Sequence, residues 1–196
     1  MRSPTLLVAL LALFVLGGCM SNYYAPPPRY AQGHQYTRVS MKVYRGNTIA
    51  YTNFLLQPGL IPAGTPIRVL GVSPRAILLD VNGMRHYFVP GQGRPWNLAF
   101  VPAILDKYLG PTPPLLPHDY NRYAVGIQTF PGGLKKEDVL TIFGYPASVG
   151  AGTSTENLSR AQILASENWV YYLNAWRVRT RIQFQNGLSV PARLGR

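Results

Sequence analysis

The chain is poor in acid and almost without cysteine. Among 196 residues there are 7 Asp+Glu against 19 Lys+Arg, a formal net charge of +12, and Cys19 is the single cysteine. One cysteine excludes an intrachain disulfide, so an oxidising compartment adds nothing by cross-linking. The carboxylates are Asp80, Asp106, Asp119, Glu137, Asp138, Glu156 and Glu167. Glu137 and Asp138 are accounted for by the start of a helix, whose dipole favours negative charge, and no remaining pair falls on facing strands. The histidines His34, His86 and His118 have no metal-ligand spacing. His118 and Asp119 are neighbours in sequence, and adjacent residues rarely point the same way; no elbow-type serine accompanies them. Gly91-Gln92-Gly93 lacks the strand-to-helix setting of a phosphate loop and reads as a turn. No enzyme, catalytic residue, metal or cofactor is expected. A long apolar run is missing too: the longest, Leu6 to Leu16, falls short of the about 20 residues that a spanning helix needs.

That short run is informative. Arg2 precedes it and small residues close it, which is the layout of a signal peptide over residues 1–18. The closing residues Leu16-Gly17-Gly18-Cys19 resemble the lipobox of bacterial lipoproteins. The resemblance implies a diacylglyceryl thioether on Cys19, removal of residues 1–18, and acylation (palmitate) of the new amino end. An ordinary secretory signal is the alternative. Lipidation is favoured because the chain's only cysteine stands where a lipobox needs it. Each buried methylene contributes about 0.8 kcal/mol, so several acyl chains make a lasting membrane anchor. Met20 stands where an aspartate commonly marks inner-membrane retention. By the same resemblance the expected location is the bacterial outer membrane, lipid-anchored and facing the periplasm of the cell envelope.

Losing the signal peptide removes Arg2 and no acid, so the processed chain keeps a net charge of +11. That charge favours anionic partners (lipid headgroups, lipopolysaccharide, an acidic protein) or serves only solubility. Nucleic acid is the partner least suited to an exported chain.

Residues 19–37 carry the lipidated Cys19 and then proline, tyrosine and small polar residues without period. This stretch reads as a disordered tether. Over 38–110, short apolar runs at 39–43, 47–51, 66–70, 76–81 and 86–89 read as strands separated by turn residues, with Asn82-Gly83 the clearest type I′ hairpin. A helix over 102–109, with proline in its first turn and Gly110 beyond its end, packs on them. The architecture resembles a small SH3-type barrel. Residues 111–119 are a proline-rich linker. Over 120–196 a helix spans 134–143 with Gly144 as its stop, Thr155 caps a second short helix, and strands follow at 169–173, 178–184 and 188–190.

Several spaced motifs in this last region carry a resemblance. Gly133 leads a helix containing Glu137-Asp138-Val139-Leu140. Gly144-Tyr145-Pro146 follows, then Trp169-Val170-Tyr171, then Ile182-Gln183-Phe184-Gln185-Asn186-Gly187. The series resembles the BamE (SmpA/OmlA) lipoprotein domain over about 122–190. Lys135 stands where that family has a capping Thr or Ser, and an insertion at about 150–168 separates Pro146 from Trp169. The expected fold class is therefore α+β: a small antiparallel β-barrel-like (SH3-like) N-terminal domain, then a BamE-like domain of helices packed on a three-stranded antiparallel sheet. The resemblance implies an envelope interaction protein associated with outer-membrane protein assembly.

One feature is read from the residues alone. Arg177, Arg179 and Arg181 recur at strand spacing, so all three project from one face. Val178, Thr180, Ile182 and Phe184 occupy the other. Trp176 heads the row, and Gln183 and Gln185 extend it. Guanidinium groups grip phosphate or carboxylate bidentately, so Trp176, Arg177, Arg179 and Arg181 form a candidate site for an anionic lipid, polysaccharide or acidic partner. A merely solvated strand face is the alternative. Trp169 and Tyr171 read as core.

Overall fold

The computed structural model describes residues 23–90, 94–124, 128–174, 176 and 178–194. Cys19, the turn expected at Gly91-Gln92-Gly93, and Arg177 lie outside the described residues.

The first region begins with helix α1 (Pro28–Ala31) and β1 (Gln35–Thr37). Then come β2 (Met41–Arg45), β3 (Thr48–Ala50), β4 (Gly59–Ile61), β5 (Pro66–Val72), β6 (Ile77–Val81) and β7 (Met84–Val89). Helix α2 (Val101–Tyr108) runs directly into β8 (Leu109–Gly110). Together these strands form one eight-stranded sheet in the order β4-β2-β3-β7-β6-β5-β1-β8, antiparallel except where β3 meets β7. Asn82 and Gly83, both at positive φ (51° and 82°), make the tight turn between β6 and β7. Irregularities in register between Val43 and Arg45 and between Val69 and Gly71 bend β2 and β5.

The second region holds α3 (Tyr120–Ala124), β9 (Thr129–Phe130), α4 (Lys136–Phe143), β10 (Ser148–Val149) and β11 (Thr153–Ser154). After these come α5 (Arg160–Leu164), β12 (Asn168–Tyr172), β13 (Arg179–Gln185), β14 (Leu188–Ser189) and β15 (Ala192–Arg193). Five strands pair as β11-β10-β12-β13-β14, and β15 pairs with β9 as a separate ribbon.

The expected α+β class is corrected by this architecture. Strand accounts for 36% of the structure and helix for 20%, in an eight-stranded curled sheet and a five-stranded sheet. No helix among the described residues exceeds eight residues. Gly144 stops α4 after eight residues, and strands contributed by the expected tether, the end of α2 and the inserted loop enlarge both sheets. The expected tether is docked at Tyr24, at Tyr30 and along 35–37. Tyr30 is 2% exposed and donates a hydrogen bond to Asp106 on α2, while β1 inserts between β5 and β8. Its composition cannot build a core alone, but it adds to one supplied by the rest of the chain. The second short helix is capped by Ser159 in a capping box with Gln162. Thr155, expected in that role, is buried and donates to the Pro146 carbonyl.

The regions on either side of 111–119 share one apolar core running from Ile67, Ile77 and Phe88 to Phe143, Trp169 and Phe184. Asn53 pins the seam. Its Nδ2 donates to the Ser40 and Phe143 carbonyls, both at 2.7 Å, and its Oδ1 accepts from the Lys42 amide at 2.8 Å. A Cβ on Gly144 would stand 2.3 Å from Asn53 Nδ2, and φ there is +74°. Glycine is needed at that helix stop for space as well as for backbone conformation. Leu55 and Leu56 then donate backbone bonds to the Tyr172 and Leu173 carbonyls, which ties the first region to the end of β12.

Candidate functional site

The row of arginines is set by β13. Its residues alternate strictly: Thr180, Ile182 and Phe184 point into the core, and Arg179, Arg181, Gln183 and Gln185 point out. Pairing with β12 sets Arg179 beside Tyr172 and Arg181 beside Val170. The Arg179 guanidinium lies 5.9 Å from the Tyr172 ring centroid, within cation–π range. The three ion pairs among the described residues are Arg29–Asp106, Arg68–Asp80 and Lys136–Glu167. Neither Arg179 nor Arg181 has a carboxylate within 4.0 Å among them.

Trp176 is 85% exposed, its amide held by the Asn174 side chain at 3.0 Å. Val178 departs from the expected alternation at 38% exposed, because it still belongs to the turn: its amide reaches Asn174 Oδ1 and its carbonyl accepts from Leu173. Trp169 and Tyr171 are both fully buried, as read from the sequence.

Two shallow hollows flank Arg181. One, about 260 Å³, lies between Arg179, Arg181, Val170, Gly150 and Gly152. The other, about 210 Å³, lies between Arg181, Gln183 and Pro191. Gly150 and Gly152 have open space where a Cβ would stand. The arrangement is two cations on a firm strand, shallow relief around them and an unpaired aromatic at the head. It suits charge-assisted contact with an anionic surface better than enclosure of a small substrate.

A second polar cluster, not foreseen from the sequence, lies at the seam. Lys107 Nζ, on a nearly buried side chain, contacts the Tyr51 hydroxyl at 2.9 Å and the carbonyls of Thr155, Glu156 and Leu158 at 2.8–3.1 Å. Tyr51 in turn donates to the Thr155 carbonyl at 2.8 Å. Burial pulls the Lys107 ammonium down to about 8, partly offset by the Glu156 charge. Burial also pushes the Tyr51, Tyr108, Tyr145 and Tyr171 hydroxyls above their ordinary value. This lysine fastens the 155–158 loop to α2 and is already saturated with acceptors. No sequence spacing marks it, because its partners are backbone carbonyls some 50 positions away.

The remaining candidates stay apart. His86 is buried in β7 with Nδ1 3.2 Å from the Met84 carbonyl, while His34 and His118 are exposed. The Asp119 carbonyl accepts from the Arg122 and Tyr123 amides at the start of α3. Among the described residues no group of three His, Cys, Asp or Glu could hold a metal ion, and no helix is long and apolar enough to cross a membrane. Compared with models of protein families, with curated proteins and with solved structures, the chain matches none.

Proposed function

We propose that this chain is a lipid-anchored protein of the bacterial envelope, held on the periplasmic side of the outer membrane through Cys19. It works by binding rather than by catalysis, and its β12–β13 face takes a phosphate-bearing anionic surface. The observation that carries the reading is the pair Arg179 and Arg181, solvent-facing and without a carboxylate among the described residues, beside exposed Trp176. Solvated guanidinium groups without a carboxylate partner cost little to keep and are ready for phosphate. A tryptophan with its ring in water is suited to the boundary between apolar and polar media.

The entry of the chain supports the anchor. Tyr23 lies over Gly71, and Tyr24 exchanges two backbone hydrogen bonds with Val72, at 2.8 and 3.0 Å. Three residues lie between Cys19 and Tyr23, four Cα-to-Cα steps that span at most about 14 Å. An acylated Cys19 therefore keeps the folded body against the bilayer instead of on a long leash. A place beside outer-membrane protein assembly rests only on the motif series that resembles BamE, and that family's three-stranded fold is not the one formed. The anionic-surface reading rests on geometry and is preferred.

The test is cosedimentation of the processed chain with phosphatidylcholine vesicles containing phosphatidylglycerol, across a salt series. Lipopolysaccharide vesicles form a second arm that separates the two sources of phosphate. Binding that falls with salt and drops at least tenfold in Arg179→Gln/Arg181→Gln is expected. Binding unchanged by that double substitution refutes the assigned face.

A further inference from the structure

We infer that the cleft between α2 and the 156–162 segment is a binding site for a single-chain anionic amphiphile, independent of the β12–β13 face. The cleft encloses about 590 Å³, within the range of about 300–1,000 Å³ of small-molecule sites. One wall is apolar and made by Phe100, Ala103 and Ile104, with Leu158 opposite. Phe100, which lines the cleft, is 58% exposed, so much of a large ring faces water there.

The charge around the cleft is unbalanced. Arg29, Arg38, Lys107 and Arg160 face it, against Asp106 and Glu156. Both carboxylates are already engaged: Asp106 accepts from Arg29 and Tyr30, and Glu156 accepts from the Trp96 indole. Lys107 spends its donors on the carbonyls of the loop and on Tyr51. Among the described residues Arg38 uses only its Nε, on the Leu109 carbonyl at 2.8 Å, and Arg160 makes only a long 3.5 Å contact to Tyr145. Neither has a carboxylate within 4.0 Å among the described residues.

Two guanidinium groups with unused donors beside an apolar wall call for a ligand of the same two-part character. A carboxylate or phosphate head meets Arg38 and Arg160, and an alkyl chain lies along Phe100, Ala103 and Ile104. A free phosphate would leave the apolar wall wet, and a neutral chain would leave the guanidiniums desolvated without a partner. The positions are 122 apart in sequence, so no spacing motif could have revealed them.

The experiment uses the processed chain with Cys19→Ser, so that no acyl group of its own competes. Dodecanoate and dodecyl phosphate are titrated by calorimetry below their micelle concentrations, with inorganic phosphate and a neutral dodecyl maltoside as controls. The expected result is saturable 1:1 binding of one or both anionic amphiphiles, with neither control binding comparably. Which head is preferred identifies the source. Arg38→Gln/Arg160→Gln weakens binding at least tenfold, and Ala103→Trp, which fills the cleft from an exposed helix position, abolishes it. Circular dichroism melting verifies that each variant is folded. The inference is overturned if phosphate alone binds as well, if maltoside binds as well, or if folded variants of both kinds bind like the parent. Vesicle binding through Arg179 and Arg181 is a separate readout, so either reading can fail alone.

Discussion

Replacing Asn53 by alanine removes a clasp that joins the start of β2 to the end of α4 across the seam. The side chain is 3% exposed and makes three hydrogen bonds, two to carbonyls and one from an amide, all at 2.7–2.8 Å. Alanine leaves those three backbone groups without this partner. An unsatisfied buried group costs about 1–3 kcal/mol, and water entering the vacated space recovers part of it. The expected loss is about 3–5 kcal/mol, a large share of the about 5–15 kcal/mol by which domains are stable. Asn53→Asp should be at least as damaging, because a carboxylate cannot donate to two carbonyls. Urea unfolding followed by circular dichroism and by tryptophan fluorescence reads the effect. Trp96 reports from beside the first sheet and Trp169 from the core of the second. One coincident transition, shifted by that amount, is expected. A loss below about 1 kcal/mol, or two separated transitions in the parent protein, would refute the view that both sheets unfold as one unit.

Gly144→Ala should cost at least about 2 kcal/mol, since it combines positive φ with a Cβ 2.3 Å from Asn53 Nδ2. In the double variant with Asn53→Ala the two losses should add to less than their sum, as a double-mutant cycle would register. Lys107 has a folded value of about 8, below its unfolded value, so above pH 8 the unfolded chain binds more protons. Stability contributed by this group is thus fullest above its unfolded value and is lost as pH falls through 8. Denaturant midpoints from pH 7.5 to 9.5 should therefore rise relative to those of Lys107→Met, and a constant difference would contradict the burial argument. Ser159→Ala removes the capping box of α5 and should cost about 1 kcal/mol by the same unfolding assay.

Local chemistry made much of this legible. The Asn82-Gly83 and Asn186-Gly187 turns, the stop at Gly144 and the outward Arg179 and Arg181 follow from backbone preference and a period of two. The strands expected at 66–70 and 76–81 form over Pro66–Val72 and Ile77–Val81 for the same reason. What escaped was long-range. β1 and β8 are two or three residues long; β1 forms on the edge that β5 offers and β8 on the edge of β1, so their own sequences carry no pattern. β4 begins at Gly59, in a Pro-Gly pair of the kind that usually marks a turn, where a Cβ would stand 2.8 Å from the Val43 carbonyl. There glycine marks a close approach of strands instead of a bend. The division at 111–119 rested on proline content, which says that the chain cannot be helical there but not that the cores on either side are separate. Arg38, Lys107 and Arg160 were invisible as a group because only the tertiary fold brings them to one cleft.

The functional reading depends first on what is attached to the sulfur of Cys19. Intact-mass and peptide mass spectrometry of protein extracted from membranes, with and without a signal-peptidase inhibitor such as globomycin, addresses that directly. The expected product begins at Cys19, carries diacylglyceryl and amide-linked acyl groups, and gives way to the uncleaved chain under the inhibitor. Recovery of soluble protein with a free Cys19 thiol, or of a mature chain beginning beyond it, would contradict the anchored reading.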